Sequence, residues 1–519
     1  MKYLVRILFW GSIAAVIYFA ALCIWYLTMP TFYDHIEPHV AVVSYLFLKG
    51  NNVYHDLLSP ERYSMLYGPM LYIINSLSYL ILGASFFAAK IGGVIASFAC
   101  IILLYFTIRK RNPGNKTIPV IYTGYVVLIF MLYKNFSFYN RPDPFLFMLV
   151  SLGLFTVVNI KNKLIAPVLA GLALGIAVNL KVHAVLYFIP ILVLLFAGQG
   201  AISVLLALII SAGTAVSPFL LFNNISFSNY VVLLKLAGLH GFSVVLFVEN
   251  ITFLFLYLLI PVLVLICMFL SDPVLLWRNR VSRTYLLTLA ACIAVVIFIA
   301  GKLGSGSAHM IPFTILCAYL LTSDPLENEI PALKRGSPAS QTIIYFIVWF
   351  FILSNIIPTA FRSQYKIVKR LGSIRKHSNK IVKDIRSVLK KHPGMRVEMG
   401  AGKVENYGFT FFRPQLVFEQ DKYFIDPAAL MDMKLSRLKI PPSTLDHLKR
   451  GEIDIFIIPV NSPPFALISY YGNYDPRLME LFDKEFIKTF LKNYEPVGRS
   501  KYYDLWRHKK HKPVIKLKY

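Results

Sequence analysis

Two acidic side chains open the polar segment that follows the first long apolar run. Asp34 and Glu37 stand just before Pro38. Proline suits the first turn of a helix, so we expect a helix from Pro38 to Lys49 with Glu37 at its cap. Partial burial raises the pKa of a carboxylate toward the operating pH, which lets such a group act as a general base. The alternative is a helix cap beside a solvated aspartate, and these residues alone do not decide between the two.

The same segment carries histidines that suggest a metal site. His35 and His39 are spaced i, i+4 around Glu37. This pattern is weak because Pro38 interrupts a regular helix between the histidines. Oxygen ligands suit a hard divalent cation, so a carboxylate-bound cation fits the segment better than a histidine-bound one. The metal ligands stay unassigned.

Basic side chains recur in or near other loops that we place on the same face of the membrane. They occur inside the second apolar run or in later turns, beside Asp, His or Gly: Lys90, Arg141 with Asp143, Lys181 with His183, and Lys302 with His309. Cations at the less favoured face of a membrane protein, or in lipid, require a reason. Binding of an anion is one such reason, and the neighbouring glycines let backbone amides approach it.

Apolar segments of the first 360 residues must position these loops. Of the 519 residues, 57% are hydrophobic and only 15% are charged, which excludes a soluble enzyme and a disordered chain. Runs of roughly 20 apolar residues are long enough to cross a bilayer. We therefore predict an α-helical polytopic membrane protein with about eleven spans. The spans are expected near residues 7–27, 86–108, 118–134, 144–160, 164–180, 184–198, 201–222, 247–270, 284–300, 308–322 and 341–358.

The charge distribution predicts two domains and an orientation. The net charge is +27, and residues 361–519 alone hold 32 Lys and Arg against 16 Asp and Glu. We expect a transmembrane domain over 1–360 and a basic, soluble α+β or α/β domain over 361–519. Positive residues in alternate loops place the N-terminus in the cytoplasm, and an odd number of spans places the C-terminal domain outside it. Membrane lipid is the expected anionic neighbour, and no motif favours nucleic acid.

Several short motifs, in this order and spacing, resemble the GT-C membrane glycosyltransferases. The chain is most similar to the protein-mannosyltransferase-like (glycosyltransferase family 39-like) and aminoarabinose-transferase-like group. The similarity rests on the acidic first loop and on four further stretches: Tyr67 to Tyr72, Arg141 to Pro144, Gly171 to His183 and Gly301 to Pro312. It implies a GT-C-like helical bundle that transfers a sugar, with inversion, from a polyprenyl-phosphate donor to an acceptor hydroxyl.

The resemblance also implies residue roles. A carboxylate of Asp34 or Glu37 would serve as the catalytic base; the family usually has adjacent acidic residues, and here they are separated, so the choice stays open. The residues implied in binding the donor phosphate are Arg141, Lys181, Lys302 and Lys90. Those implied in binding other parts of the substrates are Asp143, His183, His309 and Tyr67. Participation of Mg²⁺ or Mn²⁺ also stays open.

Other readings and substrates remain open at this stage. A flippase or transporter of lipid-linked sugars also has many spans and buried cations. A polymerase or ligase that moves whole oligosaccharides has a similar loop layout. The sugar is undetermined, and the acceptor is a glycolipid, a glycan or a protein. The expected location is the bacterial inner membrane.

Overall fold

The computed structural model describes residues 2–132, 137–255, 258, 280–322 and 357–511. The described residues are mainly helical and form two compact units. The first unit draws on Met1–Leu27, Ile91–Leu221 and Phe242–Arg370. The second draws on Thr28–Lys90, Phe222–Gly241 and Leu371–Tyr519. The predicted domain boundary between residues 360 and 361 stays a prediction.

Long apolar helices confirm the predicted membrane protein. Within the described ranges, six helices are long and apolar enough to cross a bilayer: Val5–Leu27, Phe86–Arg111, Pro142–Asn159, Val182–Gln199, Ala201–Leu221 and Arg280–Ala300. Three further predicted spans correspond to shorter apolar helices: Thr117–Leu132, Ile165–Leu180 and Ser307–Leu320. The predicted span near 341–358 lies almost wholly outside the described residues, as do 256–257 and 259–270 of the one near 247–270.

Small residues bring two helices of the first unit into close contact. A Cβ atom at Gly171 would lie 2.5 Å from the carbonyl oxygen of Ala207, and one at Gly175 would lie 2.6 Å from that of Ser211. Only glycine fits at these two positions without a shift of the backbone. This small-xxx-small spacing is typical of helices that pack closely inside membranes. This packing fixes the position of the helix Ile165–Leu180, and Lys181 follows directly at the C-terminal end of that helix.

The second unit contains a small mixed sheet and several short helices. Its strands are β1 (Val397–Met399), β2 (Ile455–Pro459), β3 (Tyr494–Arg499) and β4 (Tyr503–His508), in the order β1-β2-β4-β3. β1 runs parallel to β2, and the other two pairs are antiparallel. Its later short helices are Arg413–Gln420, Pro427–Leu435, Pro442–Arg450 and Lys484–Asn493, and the part of the long helix Ile357–Lys391 from Leu371 onward also belongs to it. A small C-terminal module that mixes helices with a sheet was predicted from the sequence and is confirmed.

Residues of the first polar segment pair directly with this C-terminal module. The amide of Arg62 donates to the carbonyl of Phe424 at 2.7 Å, and the amide of Asp426 donates to the carbonyl of Arg62 at 2.9 Å. The hydroxyl of Thr444 donates to the carbonyl of Pro60 at 2.9 Å. The shorter helices Ile36–Leu48, Met70–Leu82 and Phe227–Gly238 belong to the same unit. The acidic segment and the C-terminal module therefore form one folded body.

Candidate active site

The two acidic residues of the first loop form a reciprocal capping box. Asp34 Oδ1 accepts hydrogen bonds from the amides of Ile36 (2.8 Å) and Glu37 (3.3 Å). In return, Glu37 Oε1 accepts from the amides of Tyr33 (2.7 Å) and Asp34 (3.0 Å). Such a box satisfies amides that a helix start leaves without partners. The helix Ile36–Leu48 consequently begins two residues earlier than predicted, and Glu37 lies in its first turn rather than at its cap.

Burial separates the environments of the two carboxylates. Glu37 is 0% exposed and Asp34 is 7% exposed, so the alternative of a solvated aspartate does not hold. The ammonium group of Lys90, also fully buried, interacts electrostatically with Glu37. Lys90 Nζ donates to the carbonyl of Met29 at 2.6 Å and lies 5.4 Å from the ring centroid of Phe32. Glu37 and Lys90 therefore carry opposite charges in a buried environment, and Asp34 is the more exposed of the two carboxylates.

The pairing of Glu37 with Lys90 predicts a stability cycle. Glu37 and Lys90 are both fully buried and interact electrostatically. Removing one of two opposite buried charges leaves the other without compensation, at a cost of about 3 kcal/mol or more where the two form an ion pair. We expect Glu37→Gln and Lys90→Met to lower the unfolding midpoint strongly as single variants. The double variant should recover most of the loss, because no charge is left stranded. Denaturant unfolding in detergent micelles measures this, and a double variant as unstable as the sum of the singles contradicts the pairing.

Tyr407, which sequence reasoning did not single out, lies near Asp34. Its ring centroid is 6.2 Å from that of His35. Burial raises the pKa of the Tyr407 hydroxyl and outweighs the opposing positive charge of Arg413, and the negative charges of Asp426 and Asp34 add to the rise. That hydroxyl oxygen is buried and has no hydrogen-bond partner among the described residues. Tyr67, which was predicted to bind substrate, is half-buried, and its carbonyl accepts from Tyr54 at 2.6 Å.

A second charged cluster, in the first unit, gathers three of the predicted residues. Lys181 Nζ lies 2.7 Å from Asp143 Oδ1, and Arg141 Nε lies 3.6 Å from Asp143 Oδ2. Asp143 is 1% exposed and Arg141 is 9% exposed. Asp143 therefore pairs both with Arg141, two positions before it in the sequence, and with the distant Lys181. Two cations share one carboxylate, so this largely buried cluster carries an excess positive charge suited to an anion.

Close backbone packing explains how Arg141 reaches this cluster. A Cβ atom at Gly93 would clash with the carbonyl oxygen of Tyr139, so only glycine lets the backbone at Tyr139 approach this closely. The hydroxyl of Tyr26 accepts a hydrogen bond from the amide of Asn140 at 3.2 Å. Arg141 follows immediately, in extended conformation, at the start of the helix Pro142–Asn159. The local fold therefore fixes the backbone position from which the Arg141 guanidinium reaches Asp143.

Two histidines lie close together in the same unit. The ring centroids of His183 and His309 are 4.4 Å apart. His309 Nδ1 lies 2.8 Å from the carbonyl oxygen of Gly306, so this nitrogen carries a proton and donates to it. His183 Nε2 is buried and has no hydrogen-bond partner among the described residues. A polar atom in this position is suited to meet a ligand group.

The structure thus divides the predicted residues between two clusters, one in each unit. Asp34, Glu37 and Lys90 lie together in the second unit, and Arg141, Asp143, Lys181, His183 and His309 lie together in the first. Lys302 follows the helix Arg280–Ala300, and its backbone pairs with that of Phe242. Among the described residues, no group of three or more His, Cys, Asp or Glu side chains is arranged to hold a metal ion.

Comparison with known proteins supports the resemblance drawn from the sequence. Residues 67–227 match the family model of dolichyl-phosphate-mannose-protein mannosyltransferases. The predicted similarity to protein-mannosyltransferase-like enzymes is confirmed over that stretch. The matched stretch contains Tyr67, Lys90, Arg141, Asp143, Lys181 and His183. No curated protein matches the sequence.

Solved structures of membrane glycosyltransferases are similar to the chain. ArnT from Cupriavidus metallidurans in the apo state is 12% identical, with 95% of this chain and 97% of that chain covered and a TM-score of 0.46. The same protein bound to undecaprenyl phosphate is 13% identical, with the same coverage and TM-score. The oligosaccharyltransferase of Archaeoglobus fulgidus in the apo form is 11% identical, with 95% and 74% covered and a TM-score of 0.46.

Proposed function

We propose that this protein is a membrane glycosyltransferase that moves a sugar from a polyprenyl-phosphate donor to an acceptor hydroxyl, with inversion at the anomeric carbon. One observation carries the proposal. The stretch that matches the mannosyltransferase family model contains a buried cluster in which Arg141 and Lys181 share the single carboxylate of Asp143. An excess of positive charge at the membrane is the feature that a lipid phosphate requires.

Charge development in the reaction explains the role of that cluster. The bond between the anomeric carbon and the phosphate oxygen breaks, and the lipid phosphate departs with growing negative charge. Preorganised cations stabilise such a leaving group more in the transition state than in the ground state. Arg141 and Lys181 fill this role, and the His183 ring offers its buried Nε2 to the substrate.

The acceptor side requires a base, which we assign to Asp34. As the new bond forms between the acceptor oxygen and the anomeric carbon, the acceptor hydroxyl loses its proton to this carboxylate. Glu37 is fully buried and balances Lys90, so it serves to hold the loop and to neutralise that ammonium. The hydroxyl of Tyr407 lies near Asp34 and is suited to donate a hydrogen bond to the acceptor or the sugar.

Location and partners follow from the same chemistry. The basic loops predict a cytoplasmic N-terminus in a bacterial inner membrane, with the C-terminal module on the opposite side. Nucleotide sugars are absent there, so a sugar on a lipid phosphate is the available donor. The acceptor is a glycolipid, a glycan or a protein that presents a hydroxyl at that face.

Release of the carrier lipid tests the proposal. The purified protein, reconstituted in lipid nanodiscs, is incubated with polyprenyl-phosphate monosaccharides and candidate acceptors. We expect release of polyprenyl phosphate that depends on both donor and acceptor, and no release of polyprenyl diphosphate from a matched polyprenyl-diphosphate oligosaccharide. The same protein is also reconstituted in vesicles. Movement of the donor from one leaflet to the other, without release of polyprenyl phosphate, would support a flippase instead. Turnover of only the oligosaccharide donor would support a ligase.

A further inference from the structure

A buried arginine of the C-terminal module reaches the backbone of the acidic loop. Arg413 is 1% exposed, and its Nη2 donates to the carbonyl of His35 at 3.1 Å. Its Nη1 donates to the carbonyl of Thr410 at 3.2 Å, and its Nε donates to Asp426 Oδ2 at 3.1 Å. The planar guanidinium can satisfy several acceptors in a fixed geometry, which a lysine cannot. One side chain therefore ties His35, directly after Asp34, to the C-terminal module.

Asp426 is the anionic centre of this arrangement. Its Oδ2 also accepts from the hydroxyl of Tyr423 at 2.8 Å, while its Oδ1 caps the helix Pro427–Leu435 by accepting from the amide of Ala428 at 2.7 Å. Burial alone would raise the pKa of Asp426, but the positive charge of Arg413 and the contact with His39 outweigh it and hold the pKa well below its usual range. Asp426 is therefore ionised at every pH at which the protein would be assayed.

A second contact holds the other side of the loop. His39 Nδ1 lies 3.5 Å from Asp426 Oδ2, and His39 Nε2 lies 3.2 Å from the hydroxyl of Tyr72. His39 is 0% exposed. The carbonyl of His35 and the ring of His39 are thus both held by the same buried pair. Glu37 lies between these two anchor points.

The capping box alone does not explain why a buried arginine and a buried aspartate of the C-terminal module also contact the loop. The box fixes the local backbone of Asp34 and Glu37, but every one of its bonds lies within five consecutive residues. A buried ion pair adds little net stability compared with apolar side chains of similar size. What the Arg413–Asp426 pair adds is a fixed direction for the loop relative to the module. Displacement of a reacting group by about 1 Å can cost up to a hundredfold in rate.

We propose that Arg413 and Asp426 are positioning residues for Asp34: they do not touch substrate, but they aim the acidic loop from the C-terminal module. The catalytic part of this inference rests on the proposed function. The structural part, that the pair holds the loop, stands independently of what the loop does. The C-terminal module then contributes to catalysis by positioning the acidic loop, in addition to any contribution to acceptor binding.

The test replaces the pair without stranding a charge. In the full chain, Arg413→Met with Asp426→Asn removes both charges, and asparagine keeps the Oδ1 atom that caps the helix Pro427–Leu435. Arg413→Lys is the conservative variant. The matched control is Arg396→Met with Glu398→Gln, a largely buried pair at 3.0 Å in the same module. Each protein is checked for an unchanged unfolding midpoint. If the double variant misfolds, the comparison of Arg413→Lys with wild type decides the result.

Two readouts decide the result. Amide hydrogen exchange at residues 33–37 should accelerate about tenfold in the double variant and less in Arg413→Lys, with no change in the control. The kcat for transfer should fall about tenfold while the donor KM stays nearly constant, with partial recovery in Arg413→Lys. Unchanged exchange in a folded variant overturns the inference, as does an equal loss in the control. Wild-type protein without turnover refutes the proposed function alone, since exchange still reports on the loop.

Discussion

Replacing Asp34 with asparagine is expected to lower the rate of sugar transfer about a hundredfold or more while leaving the fold intact. Asparagine keeps the Oδ1 atom that accepts the amides of Ile36 and Glu37, so the capping box survives. What disappears is the ability to take a proton from the acceptor hydroxyl. The measurement is kcat at saturating donor and acceptor, together with the unfolding midpoint.

Asp56 offers a matched control for this substitution. It lies in the same polar segment, is exposed, and makes a similar local bond, in which Oδ1 accepts from the amide of Leu58 at 2.7 Å. Asp56→Asn should turn over at the wild-type rate. If Asp34→Asn retained more than half of the wild-type kcat, Asp34 would not be the base.

Lys181→Met should have a comparably large effect, on the donor side. The substitution leaves Arg141 facing Asp143 with no excess positive charge in the pair. We expect kcat to fall about a hundredfold, because the leaving phosphate loses a charge-assisted hydrogen bond that is strongest in the transition state. Affinity for polyprenyl phosphate, the released product, should fall as well, and both are measured in nanodiscs.

The control for that variant is an exposed lysine. Lys235 lies in the last turn of the helix Phe227–Gly238, and Lys235→Met removes the same charge from the whole protein. It should change neither kcat nor product affinity. Equal product affinity for Lys181→Met and wild type would remove Lys181 from the phosphate site, and Arg141 would then carry that role alone.

The helical framework could be predicted because it depends on local pattern. The apolar run predicted near 201–222 is the helix Ala201–Leu221, and the run predicted near 284–300 lies within the helix Arg280–Ala300. Arg141, with Asp143 beside it, could be identified as a candidate because a cation at the less favoured face of a membrane protein requires a reason. These inferences use only residues that are close in sequence.

The parts that escaped prediction depend on contacts between distant residues. Arg413 and His35 are 378 positions apart, and nothing in the periodicity of either segment points to the other. The pairing of Glu37 with Lys90 likewise arises only once the helix beginning at Phe86 packs beside the loop. The helix containing Glu37 begins earlier than predicted for a local reason: Asp34 and Glu37, three positions apart, form a capping box, and this outweighs the preference of Pro38 for the first position of a helix.

The most direct test of the central claim is a mass balance on one reaction. Wild-type and Asp34→Asn proteins, matched for unfolding midpoint, receive a polyprenyl-phosphate sugar labelled in the sugar, together with an acceptor. We expect one molecule of polyprenyl phosphate released for each labelled sugar joined to the acceptor in the wild type, and almost none of either in the variant. Labelled product without released polyprenyl phosphate, or equal yields from both proteins, would contradict this expectation.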